Sequence, residues 1–142
     1  MQVFMPYMNP FDTARALDKR RLNKQIIECS QILRAIGDRN APWANHPIVA
    51  MWRRFKVWLQ LYSKCLQYYR DGYESTAQLY GEGCLDCKPD FLTEEFCVQH
   101  RRRLYTKDPQ LYAQWARYGC SDENWYYTED GRLIKYVNGK RI

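Results

Sequence analysis

The sequence predicts an all-α protein: a compact domain of three to four helices with an extended N-terminal segment and a small C-terminal hairpin or tail. Residues 12–37 and 47–72 repeat apolar side chains at steps of three and four, which is the period of an amphipathic helix. A chain of 142 residues with 46% hydrophobic and 15% aromatic content suits one folded domain. We therefore expect a single domain over residues 1–142, with a helical body at 1–118 and a C-terminal extension at 119–142.

The N-terminal residues MQVFMPY are short, apolar and extended, because Pro6 disfavours a helix there. Asn9 and Pro10 form a favourable helix start, and Gly37 ends this first helix. The loop GDRNAPWANHP then leads into a second helix, which begins at Pro47 and stops at Gly72. These two helices are expected to form most of the core.

The second half of the chain is less regular. Residues 73–90 read as a loop with one short helical turn, and Thr93 then caps a third helix. The helix restarts after Asp108 and ends at Gly119. The dipeptide Asp130-Gly131 lies between two β-prone runs, which indicates a small hairpin, with a frayed basic end as the alternative.

The first helix carries two neighbouring stripes. The apolar stripe consists of Leu22, Ile26, Cys29, Leu33 and Ile36. The polar stripe, at the same rhythm, consists of Asp18, Arg21, Gln25 and Glu28. At about 100° per residue the polar stripe borders the core instead of opposing it, which predicts half-buried polar groups lining a pocket. An intramolecular salt-bridge ladder along the helix is the alternative.

The net charge of +6 favours an anionic partner, with nucleic acid the first candidate and an acidic membrane surface the second. Basic clusters on the helices are accompanied by aromatic rings that could stack on bases. No segment approaches the roughly 18 apolar residues of a spanning helix, and the N-terminus lacks a signal peptide, so we expect a cytoplasmic protein. The candidate nucleic-acid contacts are Lys19, Arg20, Lys24, Gln25, Asn45, Arg53, Arg54, Arg101, Arg102, Arg103 and Lys107.

The six cysteines suggest a second chemistry. In a reducing compartment they are free thiols or metal ligands, and Cys29 and Cys65 fit the cores of the helices. Cys84-x2-Cys87-x9-Cys97-x2-His100 has the ligand types of a tetrahedral structural zinc site. In the alternative, these cysteines bind no metal and His100 has another role.

The order of motifs resembles the phage-type pyrimidine-dimer DNA glycosylase family, and more closely its short bacterial and phage relatives. The motifs are RL-x-KQ at residues 21–25, NHP at residues 45–47, and the H-x3-L-x2-K-x-P run at residues 100–109. The resemblance covers most of residues 1–118. It implies a compact all-α enzyme that flips the base opposite a lesion in double-stranded DNA, uses the α-amino group as nucleophile with the help of a carboxylate on the first helix, and needs no cofactor.

Carried onto this chain, the resemblance implies a set of catalytic positions. Gln2 is too large to favour removal of the initiator methionine, so the terminal amine is that of Met1. The register that aligns Gln25 places Arg20 where the family has its glutamate, so Asp18 or Glu28 is the candidate carboxylate. The implied catalytic set is Met1, Asp18, Arg21, Glu28, His46 and His100, with Arg21 as a phosphate or base clamp.

Three functions fit these observations. The first is a DNA glycosylase, with or without AP-lyase activity, that acts as a monomer. The second is a non-catalytic nucleic-acid-binding regulator on the same scaffold, and the third is an enzyme that acts on free nucleotides. The dependence of binding affinity on salt concentration distinguishes these functions. Several phosphate contacts predict that affinity falls steeply with ionic strength, whereas an enzyme that acts on free nucleotides should show only a shallow fall.

Overall fold

A computed structural model describes residues 1–73 and 88–142. Five α-helices dominate it, and short 3-10 helices follow the third and the fifth. The α-helices are α1 (Pro10–Ala16), α2 (Lys19–Gly37), α3 (Pro47–Trp52), α4 (Lys56–Arg70) and α5 (Glu94–Lys107), and the 3-10 helices are Arg53–Phe55 and Ala113–Tyr118. No helix in the described ranges has the length and apolar composition needed to cross a membrane.

The predicted first helix is two helices, because the chain breaks at Asp18. This residue has an extended backbone, with φ −68° and ψ 158°, and its side chain accepts the Arg21 N–H at 3.2 Å. An aspartate that caps a new helix start in this way competes with continuation of the preceding helix. The predicted second helix is likewise interrupted at Arg53–Phe55, and Gly72 follows α4 with a φ of +99°.

The prediction of an all-α fold is wrong. Helices dominate, but the C-terminal residues form a three-stranded antiparallel sheet in the order β1 (Glu123–Tyr127), β2 (Leu133–Val137), β3 (Lys140–Arg141). The sheet is part of the packed structure because Trp125 and Tyr126 are buried, and Tyr126 belongs to the main hydrophobic core. The class is therefore mixed, with a small sheet against a helical body.

Two turns make the sheet. The predicted hairpin at Asp130-Gly131 is confirmed, with Gly131 at φ +87° and Tyr127 opposite Leu133. The second turn, Asn138-Gly139, has positive φ at both residues, as a two-residue hairpin between right-twisted strands requires. It adds β3, which the sequence analysis leaves in the tail.

The N-terminal segment passes through the centre of the protein. Residues 2–6 are all buried, and α1 and α2 pack against α4 around them. Aromatic rings fill the core on the α4 side, where Trp58 lies between Trp52 and Tyr62 in near-parallel stacks. The start of the chain is therefore enclosed by the helices, with only Met1 partly open to solvent.

Candidate active site at the N-terminus

Gln25 fixes the N-terminal segment against α2. Its side chain is 2% exposed, accepts the Phe4 N–H at 2.9 Å and donates to the Gln2 carbonyl at 2.9 Å. One amide thus pairs with the backbone on both sides of Val3, as a neighbouring strand would. The polar stripe of the first helix is buried or half-buried, as predicted, and Gln25 is its most buried member.

Further hydrogen bonds hold residues 1–5 from other elements. The partners lie on α4, α5 and β1, so the segment is fixed from several directions. They are Tyr126 Oη to the Met1 carbonyl (2.9 Å), Gln2 Nε2 to the Trp125 carbonyl (3.2 Å), Tyr62 Oη to the Phe4 carbonyl (2.7 Å) and the Met5 N–H to His100 Nδ1 (2.7 Å). The position of the terminal amine is thereby set by the whole fold.

The Met1 amine lies close enough to Glu28 for each charge to act on the other group. Burial lowers the pKa of the amine from its ordinary value of 8.0, against the opposing charge of Glu28. Burial also raises the pKa of Glu28, against the charges of Lys24 and the amine. The Gln2 backbone amide also favours the charged form of the Glu28 carboxylate, which lowers its pKa. A lowered pKa increases the neutral, nucleophilic fraction of an amine, and a nearby carboxylate can accept its proton.

Asp18, the other candidate carboxylate, has a different environment. Burial disfavours its charge, but hydrogen bonds from Tyr112 and Arg21 hold its pKa below the ordinary value. It caps α2, forms a 3.0 Å ion pair with Arg21, and accepts the Tyr112 hydroxyl. The charge of Glu28 is among those that shift the pKa of the Met1 amine, whereas the charge of Asp18 is not.

His46 lines the same cavity as Met1. It caps α3 by accepting the Ile48 N–H at Nδ1 (3.1 Å), so its Nε2 carries the proton in the neutral ring. Burial, together with the charge of the terminal amine, lowers the pKa of His46 to about 4. The imidazole is therefore neutral at pH 7 and available as a hydrogen-bond donor.

A cavity of about 330 Å³ joins the amine to the C-terminal sheet. Its walls include aromatic rings from β1 and β2 and one amide side chain. Its lining residues are Met1, His46, Pro47, Asn124, Tyr126, Tyr136 and Gly139. Asn124 Oδ1 accepts from Arg103 Nε at 3.2 Å, which orients its amide. Sequence reasoning missed Asn124, Tyr126 and Tyr136 as site residues, and the only signal for them is the aromatic run at 125–127.

A second cavity of about 330 Å³ is strongly cationic. It is lined by Phe4, Arg20, Arg21, Lys24 and Lys107. Burial and the neighbouring cations lower the pKa of Lys107, and the charges of Lys24 and Lys107 also act on the Met1 amine. The concentration of positive charge next to a nucleophile suits a phosphate of a bound strand.

The other basic candidates are placed differently. Lys19 is exposed on α2, and Arg53 and Arg54 pair at the surface with Glu129 and Asp90. Three arginines of α5 are held within the protein. Arg101 is buried and donates to the Pro6 carbonyl, Arg102 donates to the Cys120 carbonyl, and Arg103 donates to the Ser121 carbonyl. Asn45 lines a third cavity, of about 530 Å³, together with Ile36, Arg39, Ala44, Arg53 and Glu129.

Of the four predicted zinc ligands, only Cys97 and His100 lie in the described residues. His100 is fully buried, its Nδ1 is taken by Met5, and burial lowers its pKa to about 3. Burial raises the pKa of the Cys97 thiol to about 12. Cys84 and Cys87 lie outside the described residues, and the rest of the chain contains no group of three or more metal-ligating side chains.

Comparison with known proteins gives one match. The family model described as pyrimidine dimer DNA glycosylase matches residues 1–69. No curated protein and no solved structure matches the chain. The matched range contains Met1, Gln25, Glu28 and His46, and it is shorter than the resemblance over residues 1–118 that the motifs predict. Residues 1–69 thus have the sequence pattern of the pyrimidine dimer DNA glycosylase family, which confirms the predicted resemblance over that range.

Proposed function

We propose that this protein is a DNA glycosylase with AP-lyase activity, and that the Met1 amine is its nucleophile. The observation that carries the proposal is the half-buried Met1 amine, which lines a cavity with His46 and whose pKa is raised by the charge of Glu28 and lowered by burial. The family match supplies the substrate class, a damaged pyrimidine in double-stranded DNA. The cationic cavity supports binding of a phosphate close to the reacting sugar.

The proposed reaction begins at the neutral amine. Its lone pair forms a bond to C1′ of the nucleotide, the bond from C1′ to the base breaks, and the base leaves with the bonding electrons. Glu28 accepts the proton that the nitrogen loses. The C1′–O4′ bond then breaks as the nitrogen lone pair forms the C=N bond of an iminium ion, and O4′ takes the proton that Glu28 carries. The Glu28 carboxylate next removes a proton from C2′, and the C3′–O bond breaks so that the 3′ phosphate leaves with the bonding electrons. A flipped nucleotide is required, because C1′ and the base are otherwise enclosed in the duplex.

Gln2 supports the assignment of Met1. A small second residue would favour removal of the initiator methionine, whereas here the Gln2 side chain is buried and donates to the Trp125 carbonyl. Gln2 Oε1 also accepts the Val3 N–H at 3.0 Å. The large second residue therefore has a structural use in this fold, and it leaves Met1 as the residue that faces the cavity.

Borohydride trapping tests the proposal. Protein, borohydride and a duplex with one abasic site should give a covalent adduct, and peptide mass analysis should locate it on Met1. Protein acetylated at its N-terminus is the matched control and should form no adduct. An adduct on Lys24 or Lys107, the other amines near the site, would contradict the assignment. Base release from a duplex with one defined pyrimidine dimer, compared with the undamaged duplex, tests the substrate class.

A further inference from the structure

The cavity at Met1 contains two hydrogen-bond donors that the fold does not use. His46 Nδ1 accepts the Ile48 N–H, so the proton of the neutral ring is on Nε2. Asn124 Oδ1 accepts from Arg103 Nε at 3.2 Å, which leaves the amide protons on Nδ2. Neither His46 Nε2 nor Asn124 Nδ2 has a hydrogen-bond partner in the part of the chain that the structure describes. Both donors are therefore available to a ligand.

The Asn124 amide is held in place by the sheet and by α5. Asn124 lies on β1 directly opposite Tyr136 on β2. Arg103 of α5, which binds the Asn124 oxygen, is half-buried and also donates to the Ser121 carbonyl at 3.0 Å. The amide cannot exchange its oxygen and nitrogen without losing the hydrogen bond from Arg103. Its Nδ2 donors consequently have one favoured orientation.

His46 is also fixed, and it lies close to the amine. The hydrogen bond from the first turn of α3 to Nδ1 orients the ring, which packs edge-to-face against Tyr126 at 5.6 Å between centroids. Tyr126 in turn donates its hydroxyl to the Met1 carbonyl at 2.9 Å. The charge of the Met1 amine is one of the causes that lower the pKa of His46. The His46 donor and the proposed nucleophile are therefore neighbours in one cavity.

The cavity suits a group that only accepts hydrogen bonds. Among the described residues that line it, none has an acidic side chain, and the hydroxyl proton of Tyr126 is already used. A pyrimidine nucleotide has such an acceptor next to the reacting bond, because O2 is attached to C2, the ring atom beside N1. O2 lies on the minor-groove edge of the base, so donors can reach it while the attacked nucleotide stays in the duplex.

Negative charge develops on O2 when the bond between C1′ and N1 breaks. The bonding electrons move to N1 and spread through C2 to O2. In a dimer joined through C5 and C6 the 5,6 bond is single, so O4 cannot share the charge of N1. Neutral donors placed at such an oxygen stabilise the transition state more than the ground state, by about 10²- to 10³-fold in rate per donor.

We infer that Asn124 and His46 are catalytic residues that donate hydrogen bonds to O2 of the attacked pyrimidine and stabilise the departing base. This inference rests on the proposed function. The base leaves with both electrons of the C1′–N1 bond, and water protonates it afterwards, so neither side chain transfers a proton. Arg103 is a positioning residue, because it acts through the Asn124 oxygen.

Two substrates separate departure of the base from attack by the amine. On a duplex with one pyrimidine dimer, the C1′–N1 bond must break before borohydride can trap an adduct, whereas an abasic duplex has no base to expel. In single-turnover trapping, Asn124→Ala should react about 10²- to 10³-fold more slowly on the dimer duplex and within about threefold of the wild-type rate on the abasic duplex. His46→Asn should show the same selective loss, because asparagine can cap α3 but lacks the Nε2 donor.

Asn40→Ala is the matched control. Asn40 is an exposed asparagine that lines none of the three cavities described above, so its variant should trap both duplexes as the wild type does. Equal loss on both duplexes in Asn124→Ala would overturn the inference, because donors bound to the sugar oxygen O4′, or a merely structural role, would slow both reactions. An unchanged rate on the dimer duplex would also overturn it.

The wild-type protein distinguishes failure of this inference from failure of the proposed function. If Met1 is trapped on both duplexes but Asn124→Ala and His46→Asn keep the wild-type ratio of the two rates, the role at O2 is refuted and the enzyme assignment stands. If the wild type is trapped on neither duplex, the enzyme assignment is refuted and the inference falls with it. Trapping on the abasic duplex alone would support AP-lyase activity and refute both base excision from the dimer and the inference.

Discussion

Glu28→Gln should slow base release and imine formation while making the amine more acidic. Glu28 is the neighbour whose charge raises the pKa of the Met1 amine, whereas burial, Lys24 and Lys107 lower it. Glutamine keeps the shape and the hydrogen-bonding oxygen but removes the charge. The pKa of the amine should therefore fall further in the variant, and the acid limb of the pH profile should move to lower pH.

The two effects on rate oppose each other, and their sizes decide the outcome. An amine with the ordinary pKa of 8.0 is about one-eleventh neutral at pH 7, so a complete shift to the neutral form could raise the rate at most about elevenfold. Loss of a positioned proton acceptor costs about 10²- to 10⁴-fold. The net result should be a loss of about tenfold or more at pH 7.

Single-turnover trapping on abasic duplex across pH measures both quantities. Asp18→Asn is the control, because Asp18 caps α2 and its charge is not among those that shift the pKa of the amine. Asparagine caps a helix about as well as aspartate, so that variant should stay folded and keep the wild-type pH profile. If Glu28→Gln reacts as fast as the wild type, or if its acid limb stays in place, the pairing of amine and carboxylate is refuted.

Three further predictions concern the surrounding structure. Gln25→Leu leaves the Phe4 N–H and the Gln2 carbonyl without their buried partner. The free energy of unfolding, measured by denaturant titration, should therefore fall by about 2–6 kcal/mol. Gln60→Leu, on the exposed face of α4, is the control and should change the free energy of unfolding little. His100 has a pKa of about 3 in the folded protein, against an ordinary value of 6.5. The free energy of unfolding should therefore be constant above pH 6.5 and fall towards pH 3 by up to about 1.4 kcal/mol per pH unit. His100→Gln should flatten this slope, and an unchanged slope would exclude His100 as its source. Arg20→Ala, in the cationic cavity, should reduce the slope of log affinity against log salt by about 0.9, and a similar reduction in Arg70→Ala, which is paired with Asp71, would show that the effect is not local.

The site residues that lie on one helix could be predicted from the sequence. Helix periodicity is a local property, and it predicts that Gln25 and Glu28 border the core, as they do. Periodicity could not decide between Asp18 and Glu28, because that choice depends on where residues 1–5 cross α2. It also could not show the burial of Arg101, whose partner is the Pro6 carbonyl at the other end of the chain.

The prediction of an all-α fold class was wrong for a related reason. Strands β1 and β2 are five residues each and β3 is two, and such short strands depend on what covers them more than on propensity. Tyr126 and Trp125 are buried by contact with α3 and the N-terminal segment, which no local window contains. The same long-range contacts complete the cavity at Met1, so the fold and the site were incompletely predicted together.

The ties of residues 1–5 also govern when the site can form. The partners of this segment are spread over the following sequence at Gln25, Tyr62, His100 and Tyr126, and the last of them is 125 residues away from Met1. Contacts of such separation form late in folding, because a long loop must close first. The burial that lowers the pKa of the terminal amine therefore depends on contacts between residues far apart in the sequence, and the amine of the unfolded chain should lack that shift.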